Sequence, residues 1–240
     1  MSGRKPVLID WRWVGVALAV LLAFDVTDIA FYAGHVLSLH GLAPDWLQTK
    51  LFDMNREFGL VEDVEYAKSV LCAMAMTLCA RRSREGLFLA LAALHIWLAA
   101  DNAMALHERI GGVLGERLLG GATLGLERPA DLAQVVFFAT VGLTLIALFG
   151  VLLRRAPQPL ARTGVILLAA AASPGIFGVA VDAFRATPAA VPLSETALIM
   201  LEDGGETVML SLATALCVGC LRHSRTWSSS WMAEPAGVRA

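Results

Sequence analysis

Charge is scarce in this sequence. Aspartate, glutamate, lysine and arginine make up 17% of its 240 residues, against about 25% in an ordinary soluble domain. They nearly cancel, at a formal net charge of −2. With so little positive charge there is no basic surface for a nucleic acid, and that class of partner is set aside. Phosphate-binding loops are missing as well: the glycine-rich stretch "GERLLGGATLGLERP" has no GK[ST]. Only four cysteines occur. Cys72 and Cys79 share a helix face, and Cys217 and Cys220 form a CxxC, all inside apolar segments. That setting reads as reduced cysteines serving as small hydrophobes rather than as a redox or metal pair. The first apolar run has no small-residue cleavage site and is interrupted by Asp25 and Asp28, so it is expected to stay as a helix.

Apolar residues are what the chain has in surplus. They form 57% of it, and mean hydropathy is +0.65. One aqueous core cannot bury so many, so lipid must solvate the rest. A span needs about 20 mainly apolar residues. Six stretches meet that length: Trp13–Leu39, Val64–Ala80, Gly86–Leu106, Leu132–Leu153, Thr163–Phe184 and Thr196–Leu221. The expected fold is therefore an all-α, polytopic membrane helical bundle. Residues 1–223 would form one transmembrane domain and residues 224–240, "SRTWSSSWMAEPAGVRA", a disordered cytoplasmic tail. Arg4, Lys5 and Arg12, then "RRSRE", "RRAPQP" and the arginines after Leu221 all fall at one end of the spans. The positive-inside rule puts that end, with both termini, in the cytoplasm. Trp11, Trp13, Trp46 and Trp227 lie near helix ends, where indole favours the headgroup layer.

The few charges are not where a lipid-facing helix would tolerate them. Asp25, Asp28, Tyr32 and His35 follow one stripe of the first span. Asp101, His107 and Glu108 occupy the third, with Asp101 and Glu108 seven residues apart and expected on one face. Glu202, Asp203 and Glu206 lie in the sixth, Asp182 in the fifth, and Glu62, Asp63 and Glu65 at the start of the second. A carboxylate facing hydrocarbon costs several kcal/mol, so such stripes should point into the bundle. The fourth span has no acid and is expected to be peripheral. His95 is expected to be a hydrogen-bonded core histidine.

Lys68, Arg109 and Arg185 are the few cations at comparable depth. Like charges at close range cannot all ionise, so the site must hold protons, water or a cation. Carboxylates with neutral imidazole suit a divalent metal, here zinc, iron or manganese. The candidate ligands are Asp28, His35, Asp101, His107, Glu108, Glu202 and Glu206. Three functions fit these residues. One is a metal site open to the extracytoplasmic side, binding metal or hydrolysing a lipid or small-molecule substrate with metal-activated water. The second is a proton- or cation-coupled transporter. The third is a structural or assembly subunit that binds another membrane subunit through its polar stripe.

The residues around the third span resemble a motif, L-D-E-x-x-x-x-H-E-R, of a family of uncharacterised bacterial and archaeal integral membrane proteins. Ala100, Asp101, His107, Glu108 and Arg109 stand at its positions, and Asn102 stands where that family has a second acid. The stretch "LEDGGETVML" matches the family's acidic pair and further glutamate through Glu202, Asp203 and Glu206, and Glu57 or Glu62 matches a glutamate ahead of the second span. The resemblance implies a multi-span fold with no established activity, and the expected location is the bacterial inner membrane.

Overall fold

Asp10 starts the first helix: its Oδ1 accepts from the amides of Arg12 (3.2 Å) and Trp13 (3.5 Å), filling donors that a helix start leaves open. The computed structural model describes residues 7–54, 59–117, 128–185 and 195–226, without the side chains of Glu108, Asp131, Asp182 and Arg185 among others. Among these residues every regular element is a helix. They are α1 (Trp11–Leu39), α2 (Leu60–Ser83), α3 (Gly86–Met104), α4 (Leu106–Arg117), α5 (Pro129–Arg155), α6 (Gln158–Ala172), α7 (Pro174–Arg185) and α8 (Glu195–His223). Short 3-10 turns at Asp45–Leu47 and Lys50–Phe52 connect α1 to α2, and a third, Ser224–Thr226, follows α8. Of the tail expected from residue 224, Ser224–Thr226 form this turn, and the rest, with Trp227, lies outside the described residues.

Five segments are long and apolar enough to cross a membrane: Trp11–Leu39, Gly86–Met104, Leu132–Arg155, Gln158–Gly178 and Glu195–His223. They mark an integral membrane protein. The sixth expected span falls in α2, which at 24 residues is long enough but begins with Glu62, Asp63, Glu65 and Lys68. Large apolar side chains stand exposed around the bundle, among them Val26, Leu143, Ile146 and Ile176. Each would be worth about 1.5–3 kcal/mol if withdrawn from water, a gain that a lipid surround supplies.

Two breaks depart from the spans expected. The third span is one helix only to Met104, two residues short of the expected Leu106: Ala105 takes left-handed backbone at φ 45° and α4 starts afresh at Leu106. Asp101 and Glu108 therefore lie on different helices, and their seven-residue spacing places them on no common face. The fifth divides at Ser173–Pro174. Proline has no amide to donate and its ring crowds the preceding turn, and the Ser173 hydroxyl donates to the freed Ala170 carbonyl at 2.8 Å.

The helix order alternates, so the start of α1, the α2–α3 turn, the α5–α6 turn and the end of α8 meet at one arginine-rich end. Contacts confirm the meeting. Arg82 donates to Leu221 O (3.1 Å) and Ser224 Oγ (2.7 Å), Asp10 N to Gly219 O (3.1 Å), and Leu8 N to Thr163 Oγ1 (2.9 Å). Arg222 lies 4.2 Å over the Trp13 ring. The main apolar core fills this half, with Cys72, Met76, Cys79, Phe88, Leu91, Phe149, Leu160, Leu167 and Cys217. α8 is the centre and is mostly buried, whereas α5 is almost wholly uncovered by the rest of the bundle. The helix without internal acids is thus the peripheral one.

Glycines let α8 seat closely. A Cβ at Gly219 would collide with Val14 Cγ2 and stand 3.0 Å from Asp10 O, and one at Gly205 would enter the Phe177 ring. Gly219→Val is expected to cost about 1–3 kcal/mol by overpacking. A thermal melt in detergent checks this, and an unchanged melting temperature would mean α1 and α8 are not so close.

Candidate functional site

Lys68 is the focus. It projects from the third turn of α2 and is 2% exposed. A buried ammonium must place its three N–H donors, and each has a partner. Nζ donates to Asp25 Oδ1 at 2.6 Å, to Thr207 Oγ1 at 2.7 Å and to Thr207 O at 3.2 Å. One cation thereby ties α2 to α1 and α8. Asp25 and Thr207 are both 0% exposed.

Carboxyl groups outnumber that cation. Asp28 lies one turn along α1 from Asp25, and Glu65 one turn before Lys68 on α2; each is 6% exposed. Asp25 Oδ2, Asp28 Oδ2 and Glu65 Oε1 are buried without a hydrogen-bond partner among the described residues. Against one ammonium stand three carboxyls, each with an oxygen unserved. The cluster extends along α8. Glu65 lies within the electrostatic reach of Lys68, Asp25, Asp203 and Glu62, and Glu206 within that of Glu65, Asp203, Glu202 and Glu62. Gly178 on α7 makes room for Glu206, since a Cβ there would collide with its Oε1. "EDGGE" thus serves close packing in a continuous helix. Beyond Lys68 toward the arginine-rich end no buried acid is described, and the buried polar side chains are serines, threonines and His95 among apolar ones.

The seven candidate ligands fall into separate places. Asp28, Glu202 and Glu206 belong to this α1–α2–α8 cluster. His35 is buried on the same stripe as Asp25, Asp28 and Tyr32, but its Nδ1 lies 2.9 Å from Leu47 O, where it pins the turn after α1. Asp101 and His107 pair with each other at the α3–α4 corner: Asp101 Oδ1 accepts from His107 N and Oδ2 meets His107 Nδ1, both at 3.1 Å. Asp101 so caps the start of α4 from the preceding helix. Asp101→Ala is expected to loosen α4 by about 0.5–2 kcal/mol, seen as faster amide exchange confined to Leu106–Arg117; uniform exchange rates would refute the cap. The Glu108 and Asp182 side chains, and all of Glu57, lie outside the described residues.

Sequence reasoning finds Lys68 as a cation at the right depth but misses Thr207, because a threonine in an apolar helix is unremarkable until a neighbour's charge is placed against it. A second grouping also escaped. Cys72, His95 and Cys217, from α2, α3 and α8, bring their donor atoms within 4.8 Å of one another. His95 is buried as expected, with Nε2 4.0 Å from Cys217 Sγ, while its Nδ1 has no partner among the described residues.

A family model described as a domain of unknown function (DUF8692) matches residues 13–223, from the first turn of α1 to the end of α8. The chain belongs to that family. No curated protein and no solved structure is significantly similar to it. The DUF8692 match takes in Asp25, Asp28, Glu65, Lys68, Glu206, Thr207 and the thiol–imidazole group alike, so both clusters lie inside the shared domain.

Proposed function

We propose that this DUF8692 protein is a six-span, N-in/C-in protein of the bacterial inner membrane that couples protons to the movement of a cation. Its binding element is the Asp25–Lys68 pair with Asp28, Glu65 and Glu206. Val70, Leu71, Met74 and Leu78 on α2 are exposed, which favours α2 as the sixth span, its charged first turns turned inward. The lysine and arginine bias favours the arginine-rich end as cytoplasmic.

The observation that carries the reading is the surplus, among the described residues, of buried carboxyl oxygens around a single, fully used ammonium. In a low-dielectric interior such oxygens need protons or a cation. Exchange of one for the other is the elementary step of coupled transport, and ionisable residues inside a membrane mark such paths. A divalent metal held by the same acids has less support. Lys68 Nζ already fills the space against Asp25, and among the described residues the group with three donor atoms near enough for one ion is made of thiols and an imidazole. Proteoliposomes enclosing a pH-sensitive dye test the proposal. Steps of external sodium or potassium are expected to move protons in vesicles with protein and not in vesicles without. Identical traces from both would overturn it.

A further inference from the structure

We infer that Cys72, His95 and Cys217 form a closed binding site for a thiophilic divalent ion of the zinc class. The three side chains are 0%, 1% and 1% exposed, and they come from three helices. Cys217 Sγ stands 4.0 Å from His95 Nε2. A tetrahedral ion with Zn–S of about 2.3 Å and Zn–N of about 2.0–2.1 Å sets its donors roughly 3.5–3.8 Å apart. The triangle, with all donor atoms within 4.8 Å, therefore needs to contract by less than about 1.3 Å.

Three further features point the same way. Thr214 donates its hydroxyl proton to Leu210 O at 2.8 Å, so in the 3.3 Å contact with Cys72 Sγ the thiol is the donor and the threonine oxygen keeps a lone pair beside the triangle. His95 Nδ1 has no partner among the described residues, so no hydrogen bond fixes the ring's tautomer, and Nε2 can present its lone pair to an ion while Nδ1 carries the proton. Met76, Leu91 and Ala213 are buried next along the three helices, Ser211 and Thr214 are uncharged, and Lys68, one turn from Cys72, is already paired with Asp25. There charge balance selects the ion: two thiolates and a neutral imidazole with a divalent ion sum to zero, whereas a monovalent ion leaves a buried negative charge. Binding exchanges two thiol protons for one ion, so about two protons leave per ion bound. Cys79 and Cys220, a turn or two nearer the arginine-rich end, are free thiols that this ligand set does not use.

Cobalt titration of reduced, metal-stripped protein in detergent tests the site. About one Co²⁺ per chain is expected, with thiolate-to-cobalt charge-transfer absorption that zinc abolishes by displacement. Cys72→Ser/Cys217→Ser should lose the absorption, while Cys79→Ser/Cys220→Ser and Glu65→Gln should keep it; the last separates this site from the carboxyl cluster. Wild-type protein that shows no charge-transfer absorption, or takes up only Cu(I), would overturn the assignment. So would absorption that survives in Cys72→Ser/Cys217→Ser. Should that variant fail to fold, the zinc K-edge X-ray absorption spectrum of zinc-loaded wild type replaces it: about two sulfur ligands at about 2.3 Å with an imidazole nitrogen are expected, and a shell of oxygen ligands alone refutes the site.

Discussion

Lys68→Met should destabilise the bundle by about 3–5 kcal/mol, the usual cost of stripping the partner from a buried ion. The ammonium holds Asp25 at 2.6 Å and Thr207 at 2.7 Å and 3.2 Å, so its loss leaves an aspartate at 0% exposure with no cation and a threonine hydroxyl without its donor. Lys68→Met/Asp25→Leu should recover much of that loss, because an apolar pair of similar volume is often no less stable than a buried ion pair. Reversible unfolding in mixed micelles, run as a double-mutant cycle, measures both. Additive losses would show that the two side chains do not depend on each other.

Glu65→Gln should bring cation-driven proton movement down to the level of empty vesicles. The substitution keeps shape and hydrogen-bonding capacity and removes only the titratable group. Glu65 is the hinge of the cluster: it lies beside Lys68 on α2 and faces the α8 acids, and its Oε1 is buried without a partner among the described residues. Glu62→Gln is the control. Its carboxylate accepts from Tyr66 Oη at 3.0 Å and it is only partly buried, so flux should persist. Equal flux in wild type and Glu65→Gln would remove the carboxyl cluster from the transport path.

How much of this was legible in the sequence depended on range. The apolar runs that mark α1, α3, α5 and α8 are local patterns, and period 3.6 was enough to put Asp25, Asp28, Tyr32 and His35 on one buried stripe. α2 begins at Leu60 rather than Val64, because its acidic first turn is part of the helix. The break at Pro174 had a local signal, masked by the apolar residues on either side. The break at Ala105 had none, since alanine favours helix; the turn is held by Asp101 reaching across it to His107. Helical phase says which face a residue occupies but not which helix it meets. Lys68 and Thr207 are 139 positions apart, and His95 and Cys217 are 122 apart. Each pair needed the order of helices in space, which no periodicity encodes.

The most direct measurement is the infrared carbonyl stretch of buried, protonated carboxyl groups, recorded as a pH-difference spectrum in proteoliposomes. A single centre drawn from α1, α2 and α8 predicts a carboxyl band that Glu65→Gln removes or reduces, and whose remaining intensity shifts in Asp28→Asn, Glu206→Gln and Lys68→Met alike. If each substitution deletes its own feature and leaves every other band in place, the carboxyls sit in unconnected surroundings and there is no common centre.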